Sequence, residues 1–103
     1  MRKILTDLDG TIMDHKTIPT RKEWWLDKPK KFALEAIWKL HENNEIIIFT
    51  SRKPEEWKII DFWLYIHGFP LLRITNVKEK ADVYLDDRAI RFNNWMDISK
   101  LLC

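Results

Sequence analysis

A chain of 103 residues is long enough for one hydrophobic core and too short for a second lobe, and 46% apolar with 33% charged residues is the balance of a single globular domain. Eighteen basic against sixteen acidic residues leave +2, scattered rather than blocked, so charge alone makes no case for nucleic acid over an ordinary solvated surface. The longest aliphatic-aromatic run, IIIF at 46–49, is too short for a membrane span, MRKILTDLD meets charge too early for a signal-peptide core, and the lone Cys103 excludes an internal disulfide or a cysteine zinc site. A cytoplasmic protein without a membrane partner is expected.

Residues 3–7 read as a short apolar strand ending at Asp7. From Thr11 to Lys30 the pattern is irregular, with Pro19, Pro29 and the pair Trp24, Trp25, and predicts a loop containing a hairpin or helical turn. Between Lys31 and Glu42, Ala33, Ala36, Ile37 and Leu40 recur at helical spacing, widened by Leu34 and Trp38. Asn43 and Asn44 end that helix, and EIIIFT is a β-branched run apolar on both faces, as a buried parallel strand should be. Pro54, Glu55 and Glu56 suit a first helical turn, Trp57, Ile60 and Leu64 share a face, and Gly68 with Pro70 stops the helix. LLRIT predicts a third strand, DVYLDD at 82–87 a fourth, and WMDISKLL at 95–102 a closing helix.

Alternation of this kind predicts an α/β fold: a Rossmann-like three-layer α/β/α sandwich on a small, mainly parallel sheet. Ligands of such sheets bind beyond the carboxyl ends of the strands. Asp7, Thr50 and Asp86 all fall there. An Asp-Gly is ordinarily a turn and a DD pair ordinarily a solvated loop or cap. Here Asp7 and Asp9 from the first strand meet Asp86 and Asp87 from the fourth at one sheet edge, where carboxylates repel unless a cation intervenes. Their oxygens are the hard donors Mg²⁺ prefers. With the Thr50 and Ser51 hydroxyls and nearby lysines, the set predicts a phosphate and metal site.

These residues resemble the haloacid dehalogenase-like superfamily, in particular its magnesium-dependent phosphatases. ILTDLDGTI is similar to that family's first motif, IIIFTSR to its second, and VKEKADVYLDDR to its third and fourth, in the right order along the whole chain. The resemblance implies phosphomonoester hydrolysis through an aspartyl-phosphate. Asp7 would be the nucleophile, Asp9 the acid and base at the leaving group and water, and Thr50 with a lysine the holders of the phosphoryl oxygens. Lys78 is preferred to Lys80 for that lysine. Mg²⁺ would be held by Asp7, the Asp9 backbone and Asp86, with Asp87 binding through water or orienting other ligands. Gly10 allows a sharp turn and a close amide, and Ser51 and Arg52 are placed at the substrate.

Neither gap between motifs holds the cap domain that most members carry. An open site is expected, of the sort that acts on large substrates or borrows a lid from another subunit in a homo-oligomer. Trp24, Trp25, Arg21, Lys22 and Arg52 at its rim lean the substrate towards a nucleotide or nucleic-acid end over other phosphorylated small molecules, while Trp38, Trp57 and Trp63 are assigned to the core. The alternative function is a catalytically silent phosphate-binding module of the same fold. A receiver-type signalling domain is disfavoured because both candidate lysines precede the last acidic pair. Two glycines cannot build a nucleotide-binding loop, which removes kinases and dehydrogenases.

Overall fold

The computed structural model describes residues 2–14 and 24–86. Their order is β1 (Arg2–Asp7), α1 (Ala33–His41), β2 (Asn44–Phe49), α2 (Trp57–Ile66), β3 (Arg73–Thr75) and β4 (Val83–Leu85), with 3₁₀ turns at Trp24–Leu26 and Pro54–Glu56. The strands form one parallel sheet in the order β3-β2-β1-β4, with Ile4 opposite both Ile46 and Val83, and Asp7 opposite Phe49. This is the α/β class the sequence predicts. The closing helix read over 95–102 lies outside the described residues.

The layering follows from chain direction. β1, β2 and β3 succeed one another towards one edge, so right-handed crossovers bring both helices to the same face. There Ala33, Ala36, Ile37 and Leu40 of α1 and Ile60, Trp63 and Leu64 of α2 join Ile4, Ile46, Ile48 and Leu85 in one core. The connection from β3 to β4 runs back past β2 and β1, which places it on the opposite face. That face is also dry at its centre: Leu5 and Ile47 are 2% and 0% exposed. Among the described residues neither the β1–β2 nor the β2–β3 connection contains an inserted lobe.

α2 ends as its sequence predicts. Gly68 takes φ +83, its amide donates to Tyr65 O at 3.1 Å and that of Phe69 to Leu64 O at 2.9 Å, satisfying two terminal carbonyls. One assignment is corrected. Trp38 is 47% exposed rather than buried, because it lies beside the Ala33–Ile37–Leu40 stripe, and its indole nitrogen donates to Gly68 O at 2.8 Å. Trp63 is fully buried and Trp57 packs at the margin of the core.

Candidate active site

Immediately beyond β1 the chain folds on itself. The Asp7 carboxylate accepts the Leu8 amide at 2.9 Å. Leu8 O accepts the amides of Thr11, Ile12 and Met13 at 3.3, 3.1 and 2.9 Å, and the Gly10 amide donates to Met13 O at 3.0 Å. Leu8, Thr11, Ile12 and Met13 are all buried. Such a turn needs Gly10 at φ +80, a torsion that costs an L-residue energy even though a Cβ there would touch nothing within 4 Å. Asp9 is thereby carried on a rigid corner.

The end of β2 is built differently. The Thr50 amide donates to Thr75 O at 3.0 Å, extending the sheet by one bond, and Thr50 Oγ1 accepts the Arg52 amide at 3.1 Å. Thr50 is 1% exposed and lies beneath the surface, while its neighbour Ser51 is exposed and lines the cleft. Arg52 is not among the lining residues. Its Nη2 donates to Asp9 Oδ1 at 2.8 Å, its Nη1 reaches Glu56 Oε2 at 3.4 Å, and its guanidinium lies 3.9 Å from the centre of the Trp24 ring.

The 76–82 crossover delivers the lysine. Glu79 receives both terminal nitrogens of Arg73 at 2.7 Å and Lys3 Nζ at 2.7 Å, and its backbone carbonyl accepts the Tyr84 hydroxyl at 2.6 Å. Hydrogen bonding to Arg73, then to Lys3, holds the Glu79 carboxyl well below its ordinary value, at about 2. So fixed, the loop sets Lys78 Nζ 5.3 Å from the centre of the Tyr84 ring and at the cleft wall. Lys80 is exposed and lines no part of that cleft. The path of the crossover thus brings Lys78, and not Lys80, to the wall of the cleft.

The cleft encloses about 350 Å³. Asp7, Asp9 and Asp86 bring three carboxylates to it, Ser51 and Lys78 bring donors, and Leu5, Phe49, Tyr84 and Leu85 form its apolar wall. Of the residues predicted from sequence, Asp7, Asp9, Ser51, Lys78 and Asp86 meet there, Gly10 shapes the adjoining turn, Thr50 lies behind Ser51, and Asp87 is outside the described residues. Sequence reasoning missed Glu79, Phe49 and Tyr84. Tyr84 sat in full view as the polar-tipped aromatic of an otherwise aliphatic strand. Among the described residues no three acidic or imidazole side chains form a ready-made metal cage. Mg²⁺ does not demand one: it keeps several waters and is commonly held by one or two carboxylates together with substrate phosphate, which the all-oxygen set of Asp7, Asp86 and the Asp9 carbonyl fits.

Trp24 is 5% exposed, with Arg52 over its ring and Trp25 edge-on at 6.0 Å. Asp27, three residues on, accepts the Trp63 indole at its carbonyl at 2.8 Å, tying this turn to α2. Trp24 is therefore scaffold, and Arg21 and Lys22 lie outside the described residues.

No family model matches the chain, and no curated protein matches it. A solved structure of a conserved protein from Bacteroides thetaiotaomicron is similar in fold, with a TM-score of 0.76 and 24% identity over 98% of this chain and 88% of that one. Among the described residues no helix is long and apolar enough to cross a membrane.

Proposed function

We propose that this protein is a Mg²⁺-dependent phosphomonoester hydrolase of the haloacid dehalogenase-like type. The observation that supports this reading is the meeting of Asp7, Asp9, Ser51, Lys78 and Asp86 on one cleft beyond the carboxyl ends of parallel strands. A carboxylate at the mouth of a strand is ionised at neutral pH and needs no base to act as a nucleophile. Asp7 attacks phosphorus, the bond to the leaving oxygen breaks, and Asp9 gives that oxygen a proton. Water then attacks the aspartyl-phosphate, Asp9 takes back a proton, and inorganic phosphate leaves with Asp7 regenerated. Lys78 and Ser51 hold the equatorial oxygens where charge must be accommodated, and Thr50 fixes the strand end behind them. When bound, Mg²⁺ supplies the positive charge that lets a carboxylate approach a phosphate dianion. Three carboxylates line the cleft against the Lys78 ammonium and the Arg52 guanidinium that pairs with Asp9, which leaves the negative charge that would attract that ion.

Turnover of p-nitrophenyl phosphate, with and without Mg²⁺ after exhaustive EDTA treatment, tests the reading. Hydrolysis that stops on chelation and returns with Mg²⁺ is expected. Its absence for aryl, alkyl and nucleoside phosphates alike would leave the silent phosphate-binding module. The burial of Trp24 and the engagement of Arg52 remove two of the five rim residues behind a nucleotide preference, so the substrate class proposed is a phosphomonoester in general.

A further inference from the structure

Arg52 was placed at the substrate by its position after the second motif, yet its guanidinium is held on three sides. Asp9 takes one terminal nitrogen at 2.8 Å, Glu56 faces the other at 3.4 Å, and the centre of the Trp24 ring lies 3.9 Å from the guanidinium carbon. The Arg52 amide is in turn tied to Thr50 Oγ1 at the end of β2. Its side chain is only 19% exposed, and Trp24 is anchored by the turn that binds Trp63 of α2. A half-buried arginine with a ring on its face has lost much of the freedom that makes surface ion pairs weak. Asp9 sits on a corner whose backbone is fixed, but its side chain has two rotatable bonds, and a proton donor must be aligned on the leaving oxygen.

From this geometry we infer that Arg52 is a positioning residue, clamped between Trp24 and Glu56, that orients the Asp9 carboxyl for proton transfer to the leaving group. The inference rests on the hydrolase reading above and adds to it a role for a residue that does not line the cleft. Lysine is not its equivalent, because an ammonium lacks the planar fork whose two terminal nitrogens meet Asp9 and Glu56 separately beside the indole. Trp24 has a consequent role: it fixes the arginine and never meets the substrate.

Leaving-group dependence tests this. Loss of a general acid costs about 10²-fold or more when the leaving group needs a proton and much less when it does not. Arg52→Ala and Arg52→Lys, with Asp9→Asn for reference, are assayed on p-nitrophenyl phosphate and on an alkyl phosphate, with circular dichroism to confirm folding. Both Arg52 variants should lose about 10²-fold in kcat on the alkyl ester and under about tenfold on the aryl ester. The Arg52→Lys/Asp9→Asn double variant should be no slower than Asp9→Asn alone, and Trp24→Leu should show the same skew while Trp24→Phe restores it. Equal losses on both esters in a folded Arg52→Lys protein, or additive losses in the double variant, would overturn the positioning role while leaving the hydrolase intact. A wild-type protein inactive on both esters fails earlier and at a different point, removing the reaction itself.

Discussion

Two of the segments that bring candidate catalytic groups to the cleft are held in different ways. The turn after β1 is fixed by backbone: four amide-carbonyl bonds within residues 8–13 and four buried residues leave it almost nothing to vary. The crossover at 76–82 is fixed chiefly by side chains, through Glu79 with Arg73 and Lys3 and through the Tyr84 hydroxyl, with the Asp82 amide to Lys3 O at 2.9 Å as its backbone tie to β1. A nucleophile and its acid need constant geometry, which backbone bonds supply at any ionic strength. A phosphate-binding ammonium needs only to be near, and exposed ion pairs suffice for that while remaining open to salt and acid.

The largest effect should come from the rigid side. Asp7→Asn keeps the shape of the turn but removes the proposed nucleophile, and hydrolysis should fall by more than about 10⁴-fold with the circular dichroism spectrum unchanged. Substantial remaining turnover would move the chemistry away from β1. On the charged side, Lys78→Ala should cost about 10²-fold in kcat, the usual loss for one stabilising donor, and Lys80→Ala should leave kcat near that of the wild type. The reverse outcome would give the cleft a different crossover path from the one described.

Smaller effects sharpen the contrast. Gly10→Ala introduces no clash, so its cost is that of the left-handed torsion, about 1–2 kcal/mol, seen as a melting temperature lower by about 5–10 °C in low and high salt alike. Glu79→Gln should behave otherwise. Because the folded Glu79 carboxyl is held at about 2, below the ordinary 4.5, its contribution is present above pH 4.5 and is lost as the pH falls towards 2. Melting temperatures of wild type and Glu79→Gln should therefore differ slightly at neutral pH and converge in acid. A difference that persists at pH 2 would mean that the crossover is not held by charge.

How much of this was legible in the sequence depends on the range of the interaction. Strand ends, the Gly10 turn and the Gly68 stop are local, written in a few adjacent residues, and the order of the motifs placed Asp7, Asp9 and Asp86 at one edge. Arg52 and Asp9 are 43 residues apart, and their pairing requires the parallel register that sets Asp7 beside Phe49. Glu79 finds Lys3 only because the crossover passes over β1. Trp24 and Trp38 were misread or left open for the same reason: an indole can fill a core, platform a cation or donate to a distant carbonyl, and composition does not say which.

The brevity of β3 has a colloidal consequence. At three residues it is the outermost strand on its side of the described sheet, and next to it Leu71 is 88% exposed, with Tyr65 nearby also largely open to water. A longer, flatter margin with that much grease would template neighbour-to-neighbour strand addition. Arg73, the first residue of β3, places a half-exposed charged side chain at this margin, the kind of residue that blunts edge-to-edge pairing. The arginine that steadies the lysine-bearing crossover thus also stands at the margin of the described sheet.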